Sequence, residues 1–201
     1  RAFAAYWEVP AGEETAKNGQ WKTGPGNALF AKLEEELGSI PFVAEDLGEV
    51  NDAVFDLRDA FAMPGMKILQ FAFGEDFPSS DYIPHNYTPN FFVYPGTHDN
   101  NTVLGWYQGE ADEGVRQRIN KYAGREVTEG EIPHFFCRTA MGSVARTAIL
   151  PLQDLLQLDG SARMNKPASA EGNWGWRLMP GQLHNSAKRS LSEWTILFNR
   201  D

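Results

Sequence analysis

Apolar residues along the chain follow two rhythms. Short apolar runs, each bounded by glycine, proline or acids, alternate with stretches where apolar positions recur every three or four residues. The short runs predict buried strands and the recurring positions predict helices with one inward face. The runs are Pro41-Phe42-Val43-Ala44, Met66-Lys67-Ile68-Leu69-Gln70-Phe71, Phe91-Phe92-Val93-Tyr94 and Thr147-Ala148-Ile149-Leu150. The first helix starts near Asn27, turns Leu29, Phe30, Leu33 and Leu37 to one side and is closed by Gly38. A second, capped by Asn51 or Asp52, carries Val54, Leu57 and Phe61 and stops at Pro64-Gly65. Others cover Glu113–Ala123, with Val115, Ile119 and Tyr122 inward, and Pro133 to Val144. A closing helix aligns Ala187, Leu191, Trp194 and Phe198.

Between these elements the residues are turn formers. Ala11 to Pro25, Gly74 to Asn90 and Asp159 to Trp176 read as loops. Strands alternating with helices make βαβ units and a parallel sheet. No repeat, linker or low-complexity tract divides the chain, so the expectation is a single α/β piece spanning 1–201. The chain opens in mid-pattern at Arg1-Ala2-Phe3, which suggests a cut inside a domain.

Composition narrows the function classes. Eighteen Lys and Arg against 27 Asp and Glu leave a net charge of −9, which disfavours a nucleic-acid partner, whose phosphates it would repel. No apolar run approaches the ~18 residues that span a bilayer, so no membrane partner is expected. The lone Cys137 rules out an internal disulfide and reads as a buried, inert thiol. Paired cysteines, a glycine-rich phosphate loop and a His/acid set at metal-ligand spacing are all missing, so neither metal nor cofactor is expected.

Two runs end in acids. Glu45-Asp46 follows the run at Pro41, and His98-Asp99 follows the run at Phe91 through Pro95-Gly96-Thr97. The carboxyl ends of strands in an α/β barrel are where catalytic groups are mounted. Two carboxyl groups in one pocket suit glycoside cleavage: an acid serves the leaving oxygen and negative charge stands by the oxocarbenium-like ring. The plainer alternative is that Glu45 or Asp46, and Asp99 or Asn100, cap the helices that follow, with His98 a turn residue.

Several stretches carry a resemblance that spacing alone does not. They are Val43-Ala44-Glu45-Asp46-Leu47-Gly48, Pro64 through Phe73, Gly96-Thr97-His98-Asp99-Asn100, Ala162-Arg163-Met164-Asn165 and Gly172-Asn173-Trp174-Gly175-Trp176-Arg177. Together, in this order, they resemble the amylomaltases, the 4-α-glucanotransferases also called disproportionating enzymes. Phe3 to Pro10 and Trp21 to Gly26 fit the same family. The resemblance implies the C-terminal half, strands five to eight, of a (β/α)8 TIM barrel of the α-amylase superclass. It implies a retaining double displacement on 1,4-α-glucans, with maltooligosaccharides as substrates and acceptors. Carried over by motif, Glu45 is the general acid/base and Asp99 the transition-state stabiliser, while His98, Asn165 and Trp174 contact sugar.

The family places its nucleophilic Asp just before the stretch that Arg1-Ala2-Phe3 matches, so no residue here corresponds to it. The missing N-terminal half of the barrel then becomes a required partner. The isolated chain is expected to be inactive, with a hydrolase of the same superclass or a non-catalytic glucan-binding fragment as the other readings. The resemblance also implies a bacterial cytoplasm or a plant plastid stroma as the compartment.

Overall fold

A computed structural model describes residues 1–39, 41–48 and 50–200. It resolves into two compact units, Arg1–Met66 and Lys67–Asp201.

In the first unit, β1 (Ala5–Glu8) and β2 (Gln20–Thr23) form an antiparallel hairpin, with Trp7 opposite Trp21. This corrects the expectation of a loop from Ala11 to Pro25. The hairpin signal was hidden because the connection is long and the strands are short and largely exposed. The Trp7 indole donates to the Ala16 carbonyl at 2.9 Å and meets the Trp21 ring edge-on at 5.4 Å. Gly19 makes this possible, because a Cβ there would stand 2.2 Å from Trp7 Nε1. Helix α1 (Gly26–Leu37) and helix α2 (Asp52–Ala60) pack through Phe30, Leu57 and Met63. The first helix begins one residue before Asn27, so Asn27 lies inside it and Pro25 takes the cap position. Gly38 ends it at a positive φ of 79°, which a glycine adopts at little cost.

The expected strand at Pro41–Ala44 joins no sheet ladder. The segment is irregular, Phe42 and Val43 are exposed, and the Ala44 N–H donates to the Pro64 carbonyl at 2.8 Å.

The second unit holds most of the apolar core, and β3 (Gly65–Ile68) straddles the boundary. Its sheet runs in the order β3, β4 (Phe91–Tyr94), β5 (Thr147–Ala148). β4 and β5 are parallel, pairing Phe92 with Thr147 and Val93 with Ala148. Around the sheet lie α3 (Val103–Gly109), α4 (Glu113–Ala123), α5 (Ile132–Gly142), α6 (Leu152–Leu155) and α7 (Asn185–Leu197). Asp112 caps α4 by accepting from Val115 N–H at 2.8 Å, and Gly124 closes it. Phe73, Ile83, Val93, Ile119, Ile132 and Phe136 fill the centre. α7 packs Trp194 against Cys137 and Met141 of α5, whereas Leu191 stays 38% exposed. The apolar periodicity gives no range for α3, which follows the Thr97–Asn101 stretch, and none for α6. The first carries two glycines in seven residues, which blur its period, and the second is a single turn.

Candidate active site

Because β4 and β5 are parallel, their carboxyl ends face the same way. The loop Pro95–Thr102 leaves the end of β4, and Ile149–Pro151 leads from β5 into α6 on that side. Gln70, just past β3, is buried and binds the first of these loops. Its backbone N–H donates to the Pro95 carbonyl at 3.2 Å and its side-chain amide donates to the Asn101 carbonyl at 2.9 Å. Asn100 closes the loop on itself, its Oδ1 accepting from both the N–H and the hydroxyl of Thr97.

His98 and Asp99 project from this loop with side chains 58% and 48% exposed. The 3.3 Å between His98 Nε2 and Asp99 Oδ1 lets the imidazole share the carboxylate. A second loop reaches the same carboxylate: Asn165 Nδ2 donates to Asp99 Oδ1 at 2.7 Å. The Arg163 guanidinium donates to the backbone carbonyls of Asp99 at 2.7 Å and Asn165 at 2.8 Å, while Asn165 N–H donates to the His98 carbonyl at 3.0 Å. Asp99 is thus held at its side chain and at its backbone. The expected cap roles do not occur here, since the cap of α3 is Thr102, accepting from Gly105 N–H at 3.1 Å.

Trp174 completes the cluster. Its ring lies 5.2 Å from that of His98, tilted by 37°, with the residue 53% exposed. Its φ of 61° is left-handed, which costs a bulky side chain on the order of 1–3 kcal/mol. The bond from Trp174 N–H to the Met164 carbonyl at 2.7 Å holds that conformation. Asn173 fastens the same loop by accepting from Lys166 N–H at 2.9 Å and donating to the Ser169 carbonyl at 2.9 Å. The result is an exposed platform of indole and imidazole beside a tethered carboxylate.

The structure therefore brings His98, Asp99, Asn165 and Trp174 together. Glu45 belongs to the first unit. It is exposed and lines the edge of an apolar cavity of about 600 Å³ shared with Phe3, Phe30, Phe42 and Arg58. Its neighbour Asp46 is buried and, among the described residues, caps no helix. It pairs with Arg58 of α2 and accepts from Met66 N–H at 2.8 Å, locking the segment that presents Glu45. Motif reading passed over Arg163 and Gln70 as individual residues. Their positions inside the quoted stretches were the available signal, but their bonds to backbone carbonyls leave no mark in a sequence. Among the described residues no group of three or more His, Cys, Asp or Glu could hold a metal ion, and no helix is long and apolar enough to cross a membrane.

The sequence profile of the 4-alpha-glucanotransferase family matches residues 1–183. The chain belongs to the 4-alpha-glucanotransferase family. A 4-alpha-glucanotransferase of Streptococcus pneumoniae serotype 4 is 46% identical over 200 residues, covering 100% of this chain and 39% of its own length. The chloroplastic/amyloplastic 4-alpha-glucanotransferase DPE1 of rice is 42% identical over 203 residues, covering 100% of this chain and 34% of its own. The amylomaltase of Streptococcus agalactiae in complex with acarbose superposes with a TM-score of 0.91 at 37% identity. That superposition covers 99% of this chain and 40% of the other. The chain thus has an α/β fold matching part of an amylomaltase, and it spans about two fifths or less of the length of these relatives.

Proposed function

We propose that the chain is strands five to eight of the catalytic (β/α)8 barrel of a 4-alpha-glucanotransferase. The observation that carries this is the cluster at the carboxyl end of β4, where Asp99 is tethered by Asn165 and Arg163 beside the His98–Trp174 platform. In this reading Glu45 donates a proton to the oxygen of the leaving glucan segment, and Asp99 faces the positive charge that develops at the sugar ring. His98 and Asn165 bind sugar hydroxyls, and Trp174 offers an exposed ring face to a glucose. The nucleophile comes from the amino-terminal half of the barrel, which lies outside these residues. A sugar 4-hydroxyl then takes the place of water in the second displacement, which makes the reaction a transfer between 1,4-α-glucans.

The acarbose bound to the Streptococcus agalactiae relative supports a glucan ligand. The chloroplastic/amyloplastic rice relative supports a plastid stroma as one compartment, with the bacterial cytoplasm the other. The deciding assay incubates maltotriose with the full-length protein that carries these residues. Longer maltodextrins accompanied by glucose are expected. Simple shortening to maltose and glucose would make the protein a hydrolase instead. Residues 1–201 alone should show no turnover, and transfer by this segment would remove the claim that its nucleophile lies elsewhere.

A further inference from the structure

Behind the tethered carboxylate lies a pair of adjacent residues that the glucan chemistry does not use. Gln153 and Asp154 sit on α6 and are both buried, Asp154 to 2% exposure. Asp154 Oδ1 accepts from Val103 N–H at 2.7 Å, the first amide of α3, across 51 positions of chain. That amide immediately follows the His98–Asp99 loop. Gln153 Nε2 donates to the Ala162 carbonyl at 3.4 Å, at the start of the Arg163–Asn165 loop. One turn of helix therefore touches both loops that meet at Asp99.

The surrounding packing is backbone against backbone. A Cβ on Gly105 of α3 would stand 2.6 Å from the Cα of Gly160, at the turn leading into Ala162. Asn101 fills the remaining space, its Oδ1 accepting from Thr102 N–H at 3.0 Å. A cavity of about 120 Å³ lies between the two loops and α6, lined by His98, Asn100, Gln153, Asp154, Arg163 and Met164. Loops that meet only through exposed side chains would shift independently; these share one buried anchor.

We propose that Gln153 and Asp154 are positioning residues that fix the register of the His98–Asp99 loop against the Arg163–Asn165 loop, and so set where the Asp99 carboxylate stands. This rests on the reading of Asp99 given above. What Asp154 supplies is an acceptor oxygen for an otherwise unpaired helix amide, so an amide oxygen at the same place suffices. Burial pushes the Asp154 carboxyl up to about 7, which accords with a role that does not require its charge.

The test compares Asp154→Ala, Asp154→Asn and Gln153→Ala in the full-length protein carrying these residues. Two readouts are taken, maltotriose disproportionation and amide hydrogen exchange. Asp154→Ala should lower kcat about tenfold or more, as a small displacement of a reacting group does, with KM changed less than threefold. Exchange should quicken at Val103 and in Pro95–Thr102. Asp154→Asn should keep kcat within about threefold and restore protection. Gln153→Ala should show the same split of kcat from KM, with faster exchange confined to Ala162–Asn165. Unchanged kcat in Asp154→Ala, or kcat lost equally in the Asn variant, overturns the proposal. Should Asp154→Ala prove insoluble, Gln153→Ala decides alone: unchanged exchange at Ala162–Asn165 overturns it. Absence of transfer in the unsubstituted protein would count against the functional reading, while the exchange data would still judge the clip.

Discussion

Asn165 places its side-chain amide 2.7 Å from Asp99 Oδ1, joining two loops 66 residues apart in the chain. This bond, with the Arg163 bonds to the backbone on either side, aims a half-exposed carboxylate whose contact within its own loop is with His98 at 3.3 Å. Asn165→Ala should therefore lower kcat for maltotriose disproportionation by ~10-fold or more, since hydrogen bonds to charged groups contribute roughly 1.5–3 kcal/mol. The melting temperature should stay within ~2 °C, because the site is exposed. Unchanged kcat would show that Asn165 does not hold Asp99 during turnover.

Trp174 is expected to act through ring area. Trp174→Ala removes the face beside His98, and an aromatic stacking contact is worth ~0.5–1.5 kcal/mol. KM for maltooligosaccharides should rise roughly 3- to 10-fold, while kcat changes less. Trp174→Phe should recover most of the affinity. Oligosaccharide titration of all three forms checks this, and an unaltered KM in the Ala variant removes the stacking role.

The ion pair beneath Glu45 is a stability device. Asp46 and Arg58 have side chains 4% and 14% exposed, and Asp46 also accepts from Met66 N–H. Arg58→Met leaves a buried carboxylate without its partner and should cost on the order of 3–5 kcal/mol. Combining it with Asp46→Asn should recover part of that loss. Urea unfolding of the two variants measures both effects. Equal midpoints for wild type and Arg58→Met would mean that water already serves Asp46.

Asp154 gives the fold a pH dependence. Burial raises its carboxyl from the ordinary 3.8 to about 7, opposed by the bond from Val103. Around it stand Cys137 on α5, His134 and His184 on a small cavity of about 30 Å³, and Arg163 across the larger one. A raised carboxyl means that folding favours the protonated form. Its contribution is therefore complete below pH ~4 and is lost as pH rises through about 7, by at most ~4 kcal/mol. Asp154→Asn should flatten this part of the profile, being no less stable than wild type at pH 8. Urea midpoints at pH 5 and pH 8 test it, and an unchanged slope in Asp154→Asn would show that Asp154 is not the source of the dependence.

How much of this could be read from the sequence differs from residue to residue. The runs at Met66, Phe91 and Thr147 announced their strands because they are apolar and bounded by turn formers. The run at Pro41 carries the same signal and forms no strand, since pairing requires a neighbour that apolar character cannot specify. The β1–β2 hairpin escaped notice because its strands are exposed and its turn is long. Of the site, His98, Asp99, Asn165 and Trp174 were legible as motif residues, and the structure brings them into one cluster. Arg163, Gln70 and the Gln153–Asp154 pair were not, because their partners are backbone groups of distant loops. Carbonyls and amides are the same at every position, so only the folded chain shows which of them a side chain meets.

The contact of Gly105 on Gly160 has a bearing on how the rim of the site can be altered. Main chain lies against main chain there, with no rotamer that could absorb an extra residue. A graft or length change between Gly160 and Asn165 would displace Asp99's tether, whereas the exposed span 167–172 has room for one. Loop exchange aimed at new acceptors should therefore begin after Lys166, leaving the glycine contact as a fixed datum from which reach toward the sugar is measured.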